Sequence, residues 1–258
     1  MTKNNKKTLL AIPVYNEEKN ISKVLTSLIK EINTNNLNDK IDILVIDDCS
    51  TDNTNDILKS HNIKVIRNFR NIGYSCSLQL AYRYAINKDY QFLIQMDGDG
   101  QHDATNIINF YNKIQNDNID ILIGNRFEKS NIKIGFFKKF AIKYFSFIIK
   151  KTTGFTINDP TSGFQALKKS VVYYYSKYNQ FDTRFPDSNV LLEAAKAGFI
   201  IGEIPVIMHE RQNGKSMFKG FRPVYYMIYM TIATIIVTFR KDIKQRYIFA
   251  KEYAENKQ

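Results

Sequence analysis

The sequence predicts an α/β protein on a mostly parallel sheet flanked by helices, and three observations carry that expectation. From residue 8 to residue 125, short β-branched runs alternate with segments of helical periodicity, the order that repeated strand–helix units produce. Apolar residues make up 44% of the 258 and charged residues 24%, a mixture that excludes a disordered chain and supplies a full core at this length. Cys49 and Cys76 show no CxxC spacing and no Cys/His cluster, so zinc ribbons and disulfide frameworks are not expected and a reducing compartment fits.

The elements follow in order. Residues 1–7 are polar and charged and the apolar run behind them is six residues long, which is not a signal-peptide pattern. Strands are expected at 9–14, 41–47, 63–67, 90–96 and 119–124. Between the first two, Ile21, Val24, Leu25, Leu28, Ile29 and Ile32 recur at helical spacing and describe an amphipathic helix lying on the sheet. Further helices are expected at 53–60, 75–87 and 104–116, the last capped by Asp103. Beyond 125 come a basic aromatic stretch to Lys151, a turn at Asp159-Pro-Thr-Ser-Gly163-Phe, an α/β portion to about 208 and an apolar C-terminal run. No linker-like segment divides them, and the division expected is 1–220 as the sheet domain and 221–258 as an apolar, basic, membrane-associating segment.

Ligands of parallel sheets bind beyond the carboxyl ends of the strands. Strand one continues there into Pro13-Val-Tyr-Asn-Glu-Glu18, strand two into Asp47-Asp48-Cys-Ser-Thr-Asp52, and strand four into Asp97-Gly-Asp99-Gly-Gln101-His-Asp103. A turn or helix cap explains any one of these but not one rim loaded three times. Hard carboxylate oxygens in an open glycine-containing loop, Asp97 and Asp99, suit Mg²⁺ or Mn²⁺, which share their remaining positions with water and substrate phosphates. A diphosphate is the implied ligand, and the acidic rim would repel it without the metal. Asp48 is placed to accept hydrogen bonds from a base or ribose, and Tyr15 to lie against a base.

Together, Pro13-Val-Tyr-Asn-Glu17, Asp47-Asp48-Cys-Ser-Thr-Asp52, Asn71-Ile-Gly73, Asp97-Gly-Asp99-Gly-Gln101-His, Gly124-Asn-Arg126 and Asp159-Pro-Thr-Ser-Gly163-Phe resemble, in type and order, the motifs of family 2 glycosyltransferases. The likeness covers about residues 8–220 and is nearest to the dolichol-phosphate mannosyltransferase and bacterial polyprenyl-phosphate glycosyltransferase branch. It implies a GT-A (Rossmann-like) fold and inverting transfer of a sugar from a UDP- or GDP-sugar to a polyprenyl phosphate or lipid-linked saccharide. It puts Pro13, Tyr15, Glu17 and Asp48 at the nucleoside and Asp97, Asp99 and Gln101 at the metal and diphosphate. Arg126 and Arg211 would face the acceptor phosphate or the leaving diphosphate, and Lys215, in the late Arg211-Gln-Asn-Gly214-Lys215-Ser216 loop, would reach a phosphate. Asp159 would be the general base or the carboxylate that stabilises oxocarbenium charge. Tyr74 and Ser75 depart from a Lys and Gly frequent after the Asn-x-Gly loop, and Gln165 stands where Arg is frequent. Lysines replace an Arg/Ser acceptor pair before the turn, which also admits a sugar already linked to lipid as the acceptor.

Charge locates the membrane side. Residues 1–128 hold 15 basic and 16 acidic residues, whereas 129–258 hold 22 basic and 9 acidic. No nucleic-acid-binding motif accompanies this charge, and its interleaving with apolar runs fits an anionic membrane surface instead. In 135–151, Lys139, Lys143, Ser146 and Lys150 share one helical face opposite Phe137, Ala141, Tyr144, Phe145 and Ile148, a basic amphipathic helix. Residues 224–239 are sixteen without charge between basic flanks, about 24 Å as a helix and short of a ~30 Å hydrocarbon core. The expected location is the cytoplasmic face of the cell membrane, held through 135–151 and 221–246, with a short span at 224–239 or a buried core helix as the alternatives. Two rival functions remain at this stage: a nucleotidyltransferase making the sugar nucleotide, against which the absence of a glycine-rich basic loop after strand one counts, and a catalytically silent membrane-surface scaffold, against which Asp97 and Asp99 count.

Overall fold

The computed structural model describes residues 7–116, 118–128, 135–177, 181–210 and 222–256. Among these residues seven strands form one sheet in the order β3-β2-β1-β4-β6-β5-β7. They are β1 (Thr8–Val14), β2 (Ile41–Asp47), β3 (Lys64–Arg67), β4 (Phe92–Gln95), β5 (Ile121–Asn125), β6 (Gln165–Lys168) and β7 (Ile201–Pro205). All pairs are parallel except those made by β6, which runs antiparallel to both β4 and β5. That reversal brings the start of β6, and the Asp159–Phe164 turn before it, to the edge where the parallel strands end.

The five expected strands are present, some shorter than their apolar runs. Tyr90 lies outside β4, and its hydroxyl donates to Asp42 of β2 at 2.7 Å. Met96 also falls outside β4, although its N–H still donates to the carbonyl of Ala11. Pro13 inside β1 costs no ladder bond. Its backbone groups point the same way as those of Ala11, toward β4, and β4 pairing ends at Ala11↔Gln95.

Helices cover both faces. On one side lie α1 (Ile21–Thr34), α2 (Thr54–Ser60) and α4 (Asn106–Asn116), whose Leu25, Leu28, Leu58 and Phe110 pack with Ile12, Val45 and Ile94. On the other lie α3 (Tyr74–Asn87), α5 (Phe136–Thr153), α6 (Lys169–Ser176), α7 (Ser188–Ala197), α8 (Arg222–Phe239) and α9 (Ile243–Glu255). Val237 of α8 and Ile243 and Ala250 of α9 are buried in the same core as Leu78, Tyr82 and Leu191.

Two helices carry the expected membrane-facing segments. The Ala141 and Phe145 side of α5 packs on Tyr226 and Met230 of α8, while Lys139, Phe140, Lys143, Phe147 and Lys150 point outward. The side chain of Phe137 lies outside the described residues. Along α8, Tyr226, Met230, Thr234 and Val237 are buried, whereas Val224, Ile228, Ile232, Ile235, Ile236 and Phe239 are each more than half exposed. At 100° per residue these sets occupy opposite sides of the helix, so α8 lies lengthwise on the protein with an apolar stripe turned outward. Among the described residues no single helix is long and apolar enough to cross a membrane; Pro223–Phe239 and Ile243–Glu255 pass that test only as a pair bent by 81°.

Candidate active site

The ends of β1, β2 and β4 place three loops side by side, and backbone donors stitch them together. Asn16, in the left-handed region at φ 56°, accepts from the Thr51 N–H through its side chain, and its own N–H donates to Ser50 Oγ at 3.0 Å. The Glu17 N–H donates to Thr54 Oγ1 at 2.8 Å, and the Glu17 carboxylate accepts from Asn20 Nδ2 at 2.7 Å. Tyr15 stands at the rim, 45% exposed.

Asp48 is buried, and its carboxylate accepts from Asn68 Nδ2 and from the N–H groups of Ile72 and Gly73 at 2.8 to 2.9 Å. Much of its acceptor capacity therefore holds the 68–73 loop against β2. Gly73 has φ +89°, a left-handed conformation that a side chain would strain, and it releases the chain into α3.

Asp97 and Asp99 follow β4. A Cβ at Gly98 would come within 2.6 Å of Val14 Cγ1, so glycine is what lets the loop pass the end of β1. Burial raises the Asp97 pKa, but His102, whose Nε2 lies 3.7 Å from Oδ2, the neighbouring Tyr74 hydroxyl and the charge of Arg126 outweigh it and hold the carboxyl below the usual range. The Tyr74 hydroxyl, beside Asp97 over Gly163, is pushed above the ordinary phenol value by desolvation and by the charges of Asp97 and Asp187, so it keeps its proton next to that carboxylate. A Cβ at Gly163 would meet the Tyr74 hydroxyl at 3.1 Å and Asp97 Oδ2 at 3.4 Å, placing the Asp159 turn directly over this pair.

Asp99 Oδ1 accepts from the Gln101 N–H at 3.1 Å, and Gln101 Nε2 donates to the His209 carbonyl at 3.3 Å. His102 is buried edge-on to Phe164, and among the described residues its Nδ1 has no partner. Among the described residues no group of three or more His, Cys, Asp and Glu side chains assembles that could enclose a metal. Two hard carboxylates without such a cage fit Mg²⁺ or Mn²⁺, which keep positions open for water and phosphate oxygens.

Opposite the acidic loop lies a buried ion pair. Arg126 follows β5 and meets Asp159 twice, Nε to Oδ2 at 2.5 Å and Nη2 to Oδ1 at 3.1 Å, while Nη2 also donates to the Thr161 carbonyl at 2.9 Å. The Asp159 side chain is fully buried and that of Arg126 is 10% exposed. Asp159 additionally accepts from the Arg126 N–H at 3.2 Å. Its oxygens are thus directed at Arg126, while its own N–H and that of Asn158 donate to Glu203 of β7 at 2.9 Å. Gln165 Nε2 donates to the Ser162 carbonyl and closes the turn.

Several groups at this site carry no local sequence motif: Glu203, Tyr226, Asp182 and Asp187. Tyr226 of α8 donates to Asp187 at 2.6 Å, and burial first, then the Asp187 charge, raises its pKa against the opposing charge of Arg126. Asp159, Asp182 and Asp187 are three of only nine acids in residues 129–258. The scarcity of carboxylates in the basic half was the available signal. Arg211, Gly214, Lys215 and Ser216 lie outside the described residues.

Comparison with known proteins places this architecture. Residues 10–175 match the family model described as glycosyl transferase family 2. The UDP-N-acetylglucosamine–dolichyl-phosphate N-acetylglucosaminyltransferase of Methanococcus voltae is 26% identical over 250 residues, covering 88% of this chain and 97% of the relative. The polyprenol monophosphomannose synthase of Mycolicibacterium smegmatis is 23% identical over 83% of this chain and 82% of the relative. Glucosyl-3-phosphoglycerate synthase from Mycobacterium tuberculosis, solved with Mn²⁺, UDP and phosphoglyceric acid, superposes with a TM-score of 0.64 at 15% identity, over 92% of this chain and 80% of that one. The expected GT-A arrangement is therefore the fold observed.

Proposed function

The chain belongs to glycosyl transferase family 2, and from that membership we propose that it moves a sugar, with inversion, from a UDP- or GDP-sugar to a polyprenyl phosphate or lipid-linked saccharide at a membrane surface. The observation that carries the reading is the paired arrangement at the sheet edge: Asp97 and Asp99 in a tight loop on one side, and on the other Arg126, whose charge reaches Asp97. The likeness along most of their length to relatives whose names specify dolichyl phosphate and polyprenol monophosphomannose supports the lipid acceptor.

In this reading Tyr15 lies against the base, with Pro13 and Glu17 shaping the nucleoside pocket. Asp48 acts there by fixing the 68–73 loop. Asp97, Asp99 and Gln101 are the residues to hold Mg²⁺ or Mn²⁺, which when bound would neutralise the leaving diphosphate. Tyr74 and His102 keep Asp97 ionised and oriented. Arg126, with Nε and Nη2 already spent on Asp159 and Thr161, presents its Nη1 donors and its charge to the leaving diphosphate or acceptor phosphate, and Asp159 holds the guanidinium in place. The acceptor oxygen attacks the anomeric carbon from the face opposite the diphosphate, and the bond to the diphosphate breaks. A phosphate acceptor is already ionised at neutral pH, so no side chain has to remove a proton. Arg211 and Lys215 are assigned to the acceptor and diphosphate side.

The test is a thermal-shift panel of UDP, GDP, CDP and TDP, each with and without Mn²⁺. One nucleotide raises the melting temperature, and only with the metal; at a hundredfold excess over Kd the stabilisation is about 2.7 kcal/mol. No shift with any nucleotide would return the weight to the silent scaffold, and pyrophosphate release from a nucleoside triphosphate and a sugar phosphate would favour the nucleotidyltransferase.

Membrane attachment is proposed through the outward sides of α5 and α8. Because α8 is buried lengthwise on one side, its apolar stripe suits lying in the headgroup layer, with Phe140 and Phe147 inserting beside Lys139, Lys143 and Lys150. Each lysine close to an anionic leaflet contributes about 1 kcal/mol. Changing these three lysines to Glu should release the protein from vesicles containing phosphatidylserine; unchanged co-sedimentation would refute the assignment.

A further inference from the structure

A second cation stands at the rim, on the turn between α6 and α7. The turn is organised by Asp182, whose carboxylate accepts from the N–H groups of Arg184 and Phe185, from Asn189 Nδ2 at 2.7 Å and from the Tyr229 hydroxyl at 3.0 Å. Asp182 is thereby occupied by groups other than the Arg184 guanidinium. That guanidinium reaches across to α8 instead, where Nη1 donates to the Tyr225 hydroxyl. Its central carbon lies 5.8 Å from the Tyr225 ring centroid and 5.9 Å from that of Tyr229. The residue is exposed, and among the described residues no carboxylate forms an ion pair with it.

The turn is tied to the reaction centre. Ser75 Oγ donates to the Asp182 carbonyl, Ser75 adjoins Tyr74, and the Tyr74 hydroxyl stands with Asp97 beside Gly163. At the other end of the turn, Asp187 accepts from Tyr226. Arg184 therefore borders the site on the side where α8 begins. From Tyr225 the exposed stripe continues through Ile228, Ile232, Ile235 and Ile236 to Phe239, a run of about 21 Å at 1.5 Å per residue. A cation steadied on aromatic faces at one end of an apolar strip complements one kind of molecule: an amphiphile with an anionic head.

We propose that Arg184, framed by Tyr225 and Tyr229, grips the phosphate of the lipid-linked acceptor, whose hydrocarbon chain lies along the outer stripe of α8. The assignment rests on the lipid-acceptor reading above and adds the residue that selects for the head group. Guanidinium forks match phosphate oxygens, and with one N–H spent on Tyr225 the remaining donors suffice for a two-point contact.

The experiment measures binding of farnesyl phosphate, farnesol and inorganic phosphate to the full chain, together with the acceptor KM for farnesyl phosphate in sugar transfer. Wild type should bind farnesyl phosphate at least about tenfold more tightly than either fragment, since head and chain contacts add. Arg184→Gln should weaken farnesyl phosphate about tenfold, raise the acceptor KM by the same factor, and leave the melting-temperature rise with nucleotide and Mn²⁺ as in wild type. Arg184→Lys should recover only part, because an ammonium lacks the fork. Equal binding of farnesol and farnesyl phosphate, or an Arg184→Gln protein with wild-type acceptor KM, overturns the proposal while leaving the lipid-acceptor reading in place. Inorganic phosphate binding as tightly as farnesyl phosphate overturns the place given to the chain. A wild-type protein that binds nucleotide with Mn²⁺ but neither binds nor glycosylates farnesyl phosphate overturns the lipid-acceptor reading, and this assignment with it.

Discussion

Asp99→Asn lowers sugar transfer by about 10²- to 10³-fold, the scale of losing one preorganised electrostatic contact to charge that develops in the transition state. The substitution is nearly isosteric. An asparagine oxygen still accepts from the Gln101 N–H that Asp99 Oδ1 now receives at 3.1 Å, so the loop keeps its shape and the melting temperature without ligand stays at the wild-type value. What disappears is one of two negative charges for a divalent cation. The melting-temperature rise with nucleotide and Mn²⁺ should fall in parallel with turnover, and raising the Mn²⁺ concentration should restore part of both. Wild-type turnover in Asp99→Asn would remove this residue from the metal loop and leave Asp97 to act without it.

The largest expected effect on stability is at Asp159. Its carboxylate is fully buried and bonded to Arg126 at 2.5 and 3.1 Å. Asp159→Ala strands the guanidinium among low-dielectric surroundings and leaves the Arg126 N–H without its acceptor. Breaking one partner out of such a pair costs about 3–5 kcal/mol, because the remaining charge is uncompensated. The check is urea unfolding of wild type, Asp159→Ala and the paired variant Arg126→Met with Asp159→Leu. The paired variant should recover most of the lost stability, since two apolar groups replace two charges. It should not recover transfer, since no guanidinium charge then faces the phosphates. A general-base role without the structural one predicts instead that Asp159→Ala unfolds within about 1 kcal/mol of wild type, the central tendency for single substitutions.

Asp48 and Asp159 show how far a linear motif can be read. Both stand in recognisable strings at strand ends, and both strings end at the same edge of the sheet. Their partners were not legible: Asp48 is met by Asn68, Ile72 and Gly73, and Asp159 by an arginine 33 positions earlier. Tyr74 is visible in the sequence as a departure from the family pattern. Only the packing of α3 against the Gly163 turn gives it a task, a hydroxyl set beside Asp97.

The basic amphipathic segment 135–151 is a related case. Helical periodicity identifies α5, but a wheel cannot say which side meets the protein. Ala141 and Phe145 are covered by Tyr226 and Met230, and the outward side carries Phe140 and Phe147 among the lysines. The same holds for the sixteen uncharged residues of α8, whose composition leaves span, interface and core open. In the structure one side of it is buried along its length and the other stays exposed and apolar, a partition that composition alone does not show.

What the sequence determined by itself was everything governed by local period and turn chemistry. Alternating strand and helix patterns, and acidic loops beyond β1, β2 and β4, are all set within a few residues of one another, and so they are written in short strings. The tertiary structure alone decided that β6 enters the sheet between β4 and β5 running backwards. That single reversal carries the Asp159 turn to the carboxyl ends of the parallel strands and lets Arg126, Gly163 and Asp97 share one site. Strand order and direction depend on which buried surfaces pack best over the whole chain, a sum over distant contacts that no local spacing encodes.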